Sequence, residues 1–365
     1  MNFSDIFIDD TKNVKRINSD EYLIKGSISV IDQGKELIAG YASDDVENAC
    51  YDTRIIFGDH TRIFKYIDFP FVCGADGTKV LKIIDPSKIN YKYMYYYLLA
   101  SNIPNTGYNR HFKWVKELSF KPVDINSQMM IVNKLDKINN LIDCRKKEIE
   151  KCDNLIKSQF VEMFGNIKTN DKKWNVYSNL LNYCVFNPKK NEIAEVNKDT
   201  MVTFLPMQNV SVDGVINYSI EKKISEVWKG FTYFKENDVL FAKITPCMEN
   251  GKGAVAKKLK IGIGFGTTEF HVIRPNKEIN SVWLYHVLAD KDFRKEAGEN
   301  MTGSAGQKRV PITFLENYKL AIPPIELQNK FAQIVEQIDK QKFEFENSLK
   351  KLEELQASLM QEYFG

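Results

Sequence analysis

The stretch that decides the fold is INSQMMIVNKLDKINNLIDCRKKEIEKCDNLIKSQFVEMFG at residues 125–165, because a second copy follows it in the chain. Residues 325–365 read IELQNKFAQIVEQIDKQKFEFENSLKKLEELQASLMQEYFG and align with the first copy, without a gap, at an offset of 200. The identical residues include Ile125/Ile325, Gln128/Gln328, Ile138/Ile338, Lys151/Lys351, Leu155/Leu355, Ser158/Ser358, Glu162/Glu362, Phe164/Phe364 and Gly165/Gly365. A repeat at a fixed offset indicates a duplicated structural unit.

Each copy is predicted to form one long helix. Neither copy contains proline, and glycine occurs only in the terminal Phe-Gly, where a helix commonly ends. Apolar residues follow a 4-3 spacing over about five heptads, which is typical of a coiled-coil seam. The seam residues are Ile131, Leu135, Ile138, Ile142, Ile149, Cys152, Ile156 and Met163 in the first copy, and Phe331, Val335, Ile338, Phe345, Leu349, Leu352, Leu359 and Tyr363 in the second. Each helix would span roughly 55 Å at ~1.5 Å per residue.

Four polar residues, Arg145, Gln159, Lys342 and Gln356, occupy core positions of this seam. Such residues set helix register at some cost in stability. We therefore predict that the two helices pair with each other. The alternative is that each helix packs on its own globular segment, for which a helix of ~10 turns would be unusually long. Polar residues surround the narrow seam, so a membrane role for the helices is not favoured.

The repeat divides the chain into a globular segment at 1–125, a helix at 126–165, a second globular segment at 166–325 and a second helix at 326–365. Alternating β-branched and aromatic residues between turns predict mainly antiparallel sheet in both globular segments. The predicted strands are GSISVI, TRIIFG, RIFKYI and PFVCGADGTKVLKII in the first segment, and MVTFLPM, GVINYSI, NDVLFAKI, GAVAKKL and TTEFHVIRP in the second. The predicted class is α+β.

Each globular segment also carries a short predicted helix, at 89–101 and at 279–297. These helices align at an offset of 190, and the identical pairs are Asn90/Asn280, Tyr95/Tyr285 and Leu98/Leu288. A Thr-Gly pair follows each helix, at 106–107 and at 302–303. The duplication therefore includes the globular parts, which have diverged much further than the long helices.

The composition is that of an ordinary globular protein, with 43% hydrophobic and 27% charged residues in 365. No segment approaches the ~20 apolar residues of a membrane span, and the acidic start differs from a signal peptide, so we expect a cytoplasmic protein. The net charge of +3 is too small to indicate nucleic-acid binding by itself. However, residues 1–125 have 16 basic and 17 acidic side chains, whereas residues 166–325 have 23 and 17. Only the second globular segment is basic enough to favour a polyanion.

Catalytic and metal-binding motifs are scarce. The six cysteines form no C-x-x-C pair and are expected to be free buried thiols, and no metal site is predicted. No P-loop motif occurs, and Gly262–Gly266 is interpreted as a glycine-rich strand or hairpin, because no crossover helix follows it. The four histidines lack an acid or nucleophile at a recognisable spacing, and the Asn-Pro-Pro-aromatic motif of amino-methyltransferases is absent. No catalytic residue is predicted.

Polar loops are the better candidates for a nucleic-acid site, because they are rich in groups that bind bases and phosphates. In the first segment these loops are Gly58–Arg62, 75–79 and Thr106–Trp114. In the second segment they are Lys243–Gly253 and Gly303–Arg309. The candidate DNA-binding residues are His60, Arg62, Thr78, Lys79, Asn109, Arg110, His111, Lys113, Lys243, Thr245, Asn250, Lys252, Thr267, Thr268, Ser304, Gln307, Lys308 and Arg309.

The chain resembles the specificity subunit of type I DNA restriction-modification systems over essentially its whole length. The motifs that carry the resemblance are DVLFAKITP at 238–246 with MENGK at 248–252, TTEF at 267–270, Gly303–Arg309, and IPPIELQ at 322–328, where the family's spacer helix begins. The first half departs from this pattern, because Lys121-Pro122-Val123-Asp124 stands in place of the double proline.

The resemblance implies a non-catalytic reader of double-stranded DNA. Two mainly β target recognition domains would each read one half of a split, asymmetric target, and the long helices would pair as an antiparallel coiled coil that holds the domains apart. Two modification subunits, which bind S-adenosylmethionine and methylate adenine, would dock on the helices. Restriction subunits that use ATP and magnesium would join them. The resemblance places none of these cofactors in this chain.

Two other functions are compatible with the sequence. One is a recognition region of a fused restriction-methylation enzyme, against which the missing methyltransferase motif argues. The other is a scaffold whose coiled coil joins protein-binding β domains without touching DNA, and the near-neutral first segment favours that interpretation.

Overall fold

A computed structural model of the chain describes every residue except Ala75 and Ala305, which lie in two of the predicted loops and outside the described residues. The chain divides into two compact units. The first unit comprises residues 1–147 together with 345–365, and the second comprises residues 148–344. Each unit therefore contains one globular segment, the part of one long helix adjacent to it, and a part of the other long helix.

Up to residue 165, the helices and strands are α1 (Phe3–Ile6), β1 (Phe7–Asp9), β2 (Ile28–Ile31), β3 (Gly40–Ala42), β4 (Arg54–Gly58), β5 (Phe64–Ile67), β6 (Phe71–Cys73), β7 (Thr78–Ile83), α2 (Tyr91–Ala100), α3 (Phe112–Lys116) and α4 (Ile125–Phe164). The remainder are β8 (Val176–Asn179), β9 (Cys184–Phe186), β10 (Met201–Leu205), β11 (Glu221–Lys223), α5 (Ile224–Val227), β12 (Thr232–Lys235), β13 (Val239–Ala242), β14 (Gly253–Val255), β15 (Ile263–Gly266), β16 (Phe270–Pro275), α6 (Ser281–Ala289), α7 (Lys291–Glu299), α8 (Ile312–Asn317), β17 (Lys319–Ile322) and α9 (Ile325–Phe364).

The sheets of the two units share one topology. The first unit has an antiparallel sheet in the order β1-β7-β4-β5, and the second unit has the matching order β9-β16-β13-β14. A smaller sheet, β3-β2-β6, likewise matches β11-β10-β15, to which β12 is added. The pairs β2–β6 and β10–β15 are parallel in both units. The α+β class and the duplication of the globular parts are confirmed. The strands are mainly antiparallel, as predicted, except for these two parallel pairs.

Three local predictions are wrong. The segment GVINYSI is no strand, because hydrogen bonds between Ser211 and Val215 close a local turn and leave one isolated bridge at Ile216. Strand β16 begins at Phe270, so that Thr267, Thr268 and Glu269 precede it. The predicted helix at 279–297 is two helices, because the side chain of Asp290 accepts hydrogen bonds from two backbone amides and starts α7.

The long helices are each 40 residues and begin and end at equivalent positions of the repeat. In the first unit, the start of α4 packs against the end of α9. Ile131, Val132 and Leu135 are buried in one cluster that also includes Leu359 and Tyr363. The side chains of Asn139 and Gln356 are hydrogen-bonded, and the Arg145 guanidinium lies 5.2 Å from the centre of the Phe345 ring. The direction of this pairing is antiparallel.

In the second unit, the end of α4 packs against the start of α9. The rings of Phe160 and Phe164 lie 5.5 and 5.4 Å from that of Phe331, which is fully buried. The Lys342 ammonium donates to the Asp153 carboxylate at 2.7 Å. The polar seam residues Arg145, Lys342 and Gln356 thus contact the opposite helix, which gives a physical basis for their predicted effect on register. Gln159 instead bonds Glu162 on its own helix.

Two repeated glutamines join each long helix to its globular segment. Gln128 accepts a hydrogen bond from the backbone amide of Asn90 and donates to the carbonyls of Lys88 and Val123. Gln328 makes the equivalent three bonds with Asn280, Glu278 and Pro323. Asn90 and Asn280 in turn cap α2 and α6 with their side chains. These two pairs of identical residues therefore form the same hydrogen-bonded joint in both units. Each residue supplies polar partners that the buried backbone needs.

The six cysteines are free thiols, of which Cys50, Cys73, Cys152 and Cys184 are buried. The prediction of buried thiols is wrong for Cys144, which lies on α4 and is exposed, and Cys247 is only half-buried. Of the helices in the described residues, none has both the length and the hydrophobicity to cross a bilayer.

Candidate nucleic-acid interface

The three predicted loops of the first unit meet at Asp59, whose side chain is almost fully buried. The Asp59 amide donates to the Gly77 carbonyl at 2.7 Å, and the Asp59 carbonyl accepts from the His111 amide at 2.9 Å. The Asp59 carboxylate accepts from the Phe112 amide at 2.7 Å. Because one residue bonds both neighbouring loops, loops that are far apart in sequence form a single surface.

The exposed groups of this surface are aromatic and basic. Tyr108 is 90% exposed, and its ring stacks on the His60 ring at 4.9 Å and 9°. Asn109, Arg110 and Lys113 are also exposed. Arg110 lies 3.3 Å from the Asp76 carboxylate, which also pairs with Arg16 at 2.9 Å. A backbone hydrogen bond and these two arginines lower the pKa of Asp76, so its negative charge offsets part of the local positive charge.

Two candidates of the first unit are buried, and two half-buried ones are engaged by other groups of the protein. Thr78 and His111 have no exposed surface, and the His111 ring bonds the Asp59 carbonyl at 3.0 Å. Lys79 lies near Asp9 and over the Phe112 ring, while Arg62 donates to the Ile103 carbonyl. These four side chains bond or pack within the unit, which leaves Asn109, Arg110 and Lys113 as the exposed candidates and His60 as a half-buried one.

The second unit joins its predicted loops in a comparable way. The backbone of Lys243 bonds both Glu269 and Val310 at 2.9 Å, and the Thr245 amide donates to the Lys308 carbonyl at 3.0 Å. The Arg309 guanidinium makes two hydrogen bonds of 2.9 Å to the Glu269 carboxylate. Loop 243–253, the turn at 267–269 and the segment 302–310 therefore form one surface.

Some charged side chains of this surface are paired or buried, and others are exposed to solvent. The Arg309 guanidinium lowers the pKa of Glu269, so the two side chains are held as an ion pair. Burial lowers the pKa of Lys243, and the nearby Glu269 carboxylate opposes that shift. The Lys252 ammonium donates to the Met207 carbonyl at 3.1 Å. The exposed candidates are Asn250, Thr268, Ser304, Gln307 and Lys308, whereas Thr245 and Thr267 are half-buried.

A buried histidine supports the same surface from below. Burial lowers the pKa of His271 to about 4, so its ring is neutral at physiological pH. The His271 Nε2–H donates to the Val310 carbonyl at 2.8 Å, at the end of the segment that carries Lys308 and Arg309. His271 therefore has a structural partner, which fixes its ring beneath this segment.

Sequence reasoning missed three residues that shape these surfaces. Asp59 lies in the predicted loop Gly58–Arg62, and Glu269 lies in the TTEF motif at 267–270. Their hydrogen-bond partners are about 40 to 50 positions away, so no local spacing indicates these contacts. Arg294 lies on α7 and is buried beneath loop 243–253. No motif of the sequence indicated it.

Comparison with known proteins finds one family match, over part of the chain. Residues 186–357 match the family described as the type I restriction modification DNA specificity domain. The chain is 43% identical over 148 residues to the type I restriction enzyme EcoAI specificity subunit of Escherichia coli. That alignment covers 38% of this chain and 25% of the relative, so the chain aligns with about a quarter of that protein's length.

Two further matches extend along most of the chain. The EcoR124I/EcoR124II specificity subunit of Escherichia coli is 21% identical over 350 residues, which is 87% of this chain and 83% of that protein. The crystal structure of the S subunit of the type I restriction-modification system of M. genitalium matches with a TM-score of 0.60 at 16% identity, over 99% of this chain and 94% of that one. At this identity the structural match concerns the fold.

Proposed function

We propose that the chain belongs to the family of type I restriction-modification specificity subunits and recognises a specific DNA sequence for such a system, which the partial family match and the similar specificity subunits support. The observation that carries the proposal is the duplication. Two units repeat one sheet topology and one glutamine joint, yet they present loop surfaces of different sequence. A repeated framework with different loops suits two different recognition events.

Each unit would read one half of a bipartite, asymmetric target. The exposed amide, hydroxyl and ammonium groups, such as those of Asn109, Asn250, Gln307 and Lys308, are of the kinds that bond base edges in the major groove or hold phosphates. Helices of 40 residues are ~60 Å long, which accommodates two sites about one DNA turn apart, ~34 Å. The paired helices would thus fix the gap between the half-sites.

The long helices would also receive the partner subunits. Large apolar side chains that are about half exposed lie along both helices: Met129, Met130, Leu141, Leu155, Val161, Phe343 and Leu355. Apolar side chains on the outside of an already paired seam favour a protein partner. Because the helices repeat one sequence pattern, two identical modification subunits could meet equivalent surfaces, and restriction subunits would join that complex.

In this proposal the chain performs no catalysis. S-adenosylmethionine would be bound by the modification subunits, and ATP and magnesium by the restriction subunits, in the cytoplasm where the DNA lies. The first globular segment is nearly neutral, whereas the second has six more basic than acidic residues. The first unit would therefore depend more on partner subunits for its DNA affinity.

A segment exchange tests the proposal. The chain and its modification subunits would be expressed in a host without other methylation, and methylated sites would be mapped across the genome. Replacing residues 166–325 with the matching segment of another specificity subunit should change one half-site and leave the other half-site unchanged. A complex that neither methylates nor binds DNA in a sequence-dependent way would refute the assignment.

A further inference from the structure

Among the described residues, the side chain of Arg294, on α7, donates hydrogen bonds only to the backbone of loop 243–253. Its guanidinium donates to the carbonyls of Met248 at 3.1 Å, Gly251 at 3.3 Å and Lys252 at 3.4 Å. Within the described residues, its Nε has no hydrogen-bond acceptor. Burial lowers the pKa of Arg294 to about 10, so the group remains charged at neutral pH. A buried charge held by three carbonyls of one loop constrains that loop strongly.

The packing around Arg294 accounts for the glycines of the loop. Gly251 has a φ of +86°, a left-handed conformation that glycine adopts without strain. At Gly253, a Cβ would lie 2.8 Å from the Leu240 carbonyl oxygen and 3.2 Å from an Arg294 nitrogen. Arg294 also lies over the Phe241 ring, with 4.3 Å between the guanidinium carbon and the ring centre. The Gly-Lys-Gly sequence at 251–253 thus fits both the turn and the close approach of the arginine.

The arginine lies on the inner side of the loop, whereas Glu249 and Asn250 between its anchor points are exposed. Met248, the first anchor point, is fully buried. The hydrogen bonds from Arg294 to three loop carbonyls therefore determine where the exposed side chains of the loop lie. Arg294 itself is only 7% exposed. Positions that are fixed before binding discriminate between ligands better than positions that must first be ordered.

We propose that Arg294 is a positioning residue for DNA recognition: it holds loop 243–253 in the conformation that reads the half-site of the second unit. This inference rests on the proposed function, because it assumes that the loop faces DNA. Arg294 does not touch the DNA in this mechanism. Its loss should reduce discrimination between sequences while the electrostatic, sequence-independent attraction to DNA stays the same.

The test uses the full chain assembled with its modification subunits. Binding of a duplex with the methylation-mapped target is compared with duplexes altered in one half-site, over a range of salt concentrations. Arg294→Met removes the hydrogen bonds, and Arg294→Lys keeps the charge but loses the planar fork. Arg274→Met is the matched control in the same unit, because Arg274 pairs with Asp238 and Glu192 instead of the loop.

Both Arg294 variants should lose at least about tenfold in discrimination at one half-site, the scale of one mismatched base pair. Discrimination at the other half-site, affinity for unrelated DNA and the salt slope should remain as in the unaltered complex. Arg274→Met should leave discrimination intact. Discrimination within twofold of the original in either Arg294 variant would overturn the proposal. Folding of the second unit is measured by thermal melting. If both variants failed to fold, the proposal would also be overturned, because the role of Arg294 would then be general stability. If the unaltered complex itself fails to discriminate, the proposed function fails instead.

Discussion

Replacing Gln328 with leucine should strongly destabilise the second unit. Gln328 is fully buried, and its amide satisfies the backbone N–H of Asn280 and the carbonyls of Glu278 and Pro323 at 2.9, 3.2 and 2.8 Å. Leucine has a similar size but leaves all three groups without that partner. Each unsatisfied buried group costs ~1–3 kcal/mol, so the lower end of the total is about 3 kcal/mol. Relaxation of the chain and entry of water favour the lower end.

Urea denaturation followed by tryptophan fluorescence measures this loss, because Trp174, Trp228 and Trp283 lie in the second unit. Gln337→Leu is the matched control, since Gln337 is exposed on the same helix and its replacement should change the free energy of unfolding by less than ~0.5 kcal/mol. Gln128→Leu should produce a comparable loss in the first unit, which has the equivalent joint. If Gln328→Leu were no more destabilising than Gln337→Leu, the argument that these glutamines join helix and globular segment would be wrong.

Two further predictions concern the second unit. Lys308→Ala should weaken binding to all DNA sequences and reduce the slope of affinity against salt concentration by about 1. Arg309→Ala breaks the ion pair with Glu269 and removes no DNA contact, so it should lower the specific affinity with less change in that slope. Equal slopes for both variants would contradict this distinction. Burial lowers the pKa of both His271 and His286 to about 4 in the folded chain, against ~6.5 when unfolded, so the unfolded chain binds more protons between these values and stability falls as the pH is lowered. Lowering the pH from 7 to 5 should cost about 2 kcal/mol for each histidine, and His271→Gln should abolish the share of His271, about half of the total, in urea titrations at both pH values.

The long helices could be predicted from sequence because their signal is local and repeated. The seam residues recur every three or four positions, and each of them is buried or half-buried in the structure. The start of the first helix was harder to place, since it lacks the double proline. The structure shows that Asp124 caps it, with its carboxylate accepting from the amides of Asn126 and Ser127. That is a different local solution to the same need for partners at a helix start.

The loop surfaces could be predicted only as a set of segments. The sequence identifies polar turns, but whether a side chain faces solvent depends on partners elsewhere in the chain. Thr78 and His111 are polar and yet fully buried, and Arg309 is basic and yet engaged by Glu269. The parallel pairs β2–β6 and β10–β15 join strands 40 or more positions apart, so alternation within each strand carries no information about their direction.

We propose that two units on paired helices read two half-sites separated by a gap that the helices set. The most direct test of this proposal is to insert one heptad into each long helix near residues 147 and 344, which preserves the seam pattern, and to map methylated sites in cells that carry the modification subunits. We expect the same two half-sites with a longer gap. Altered half-sites, or an unchanged gap, would contradict it.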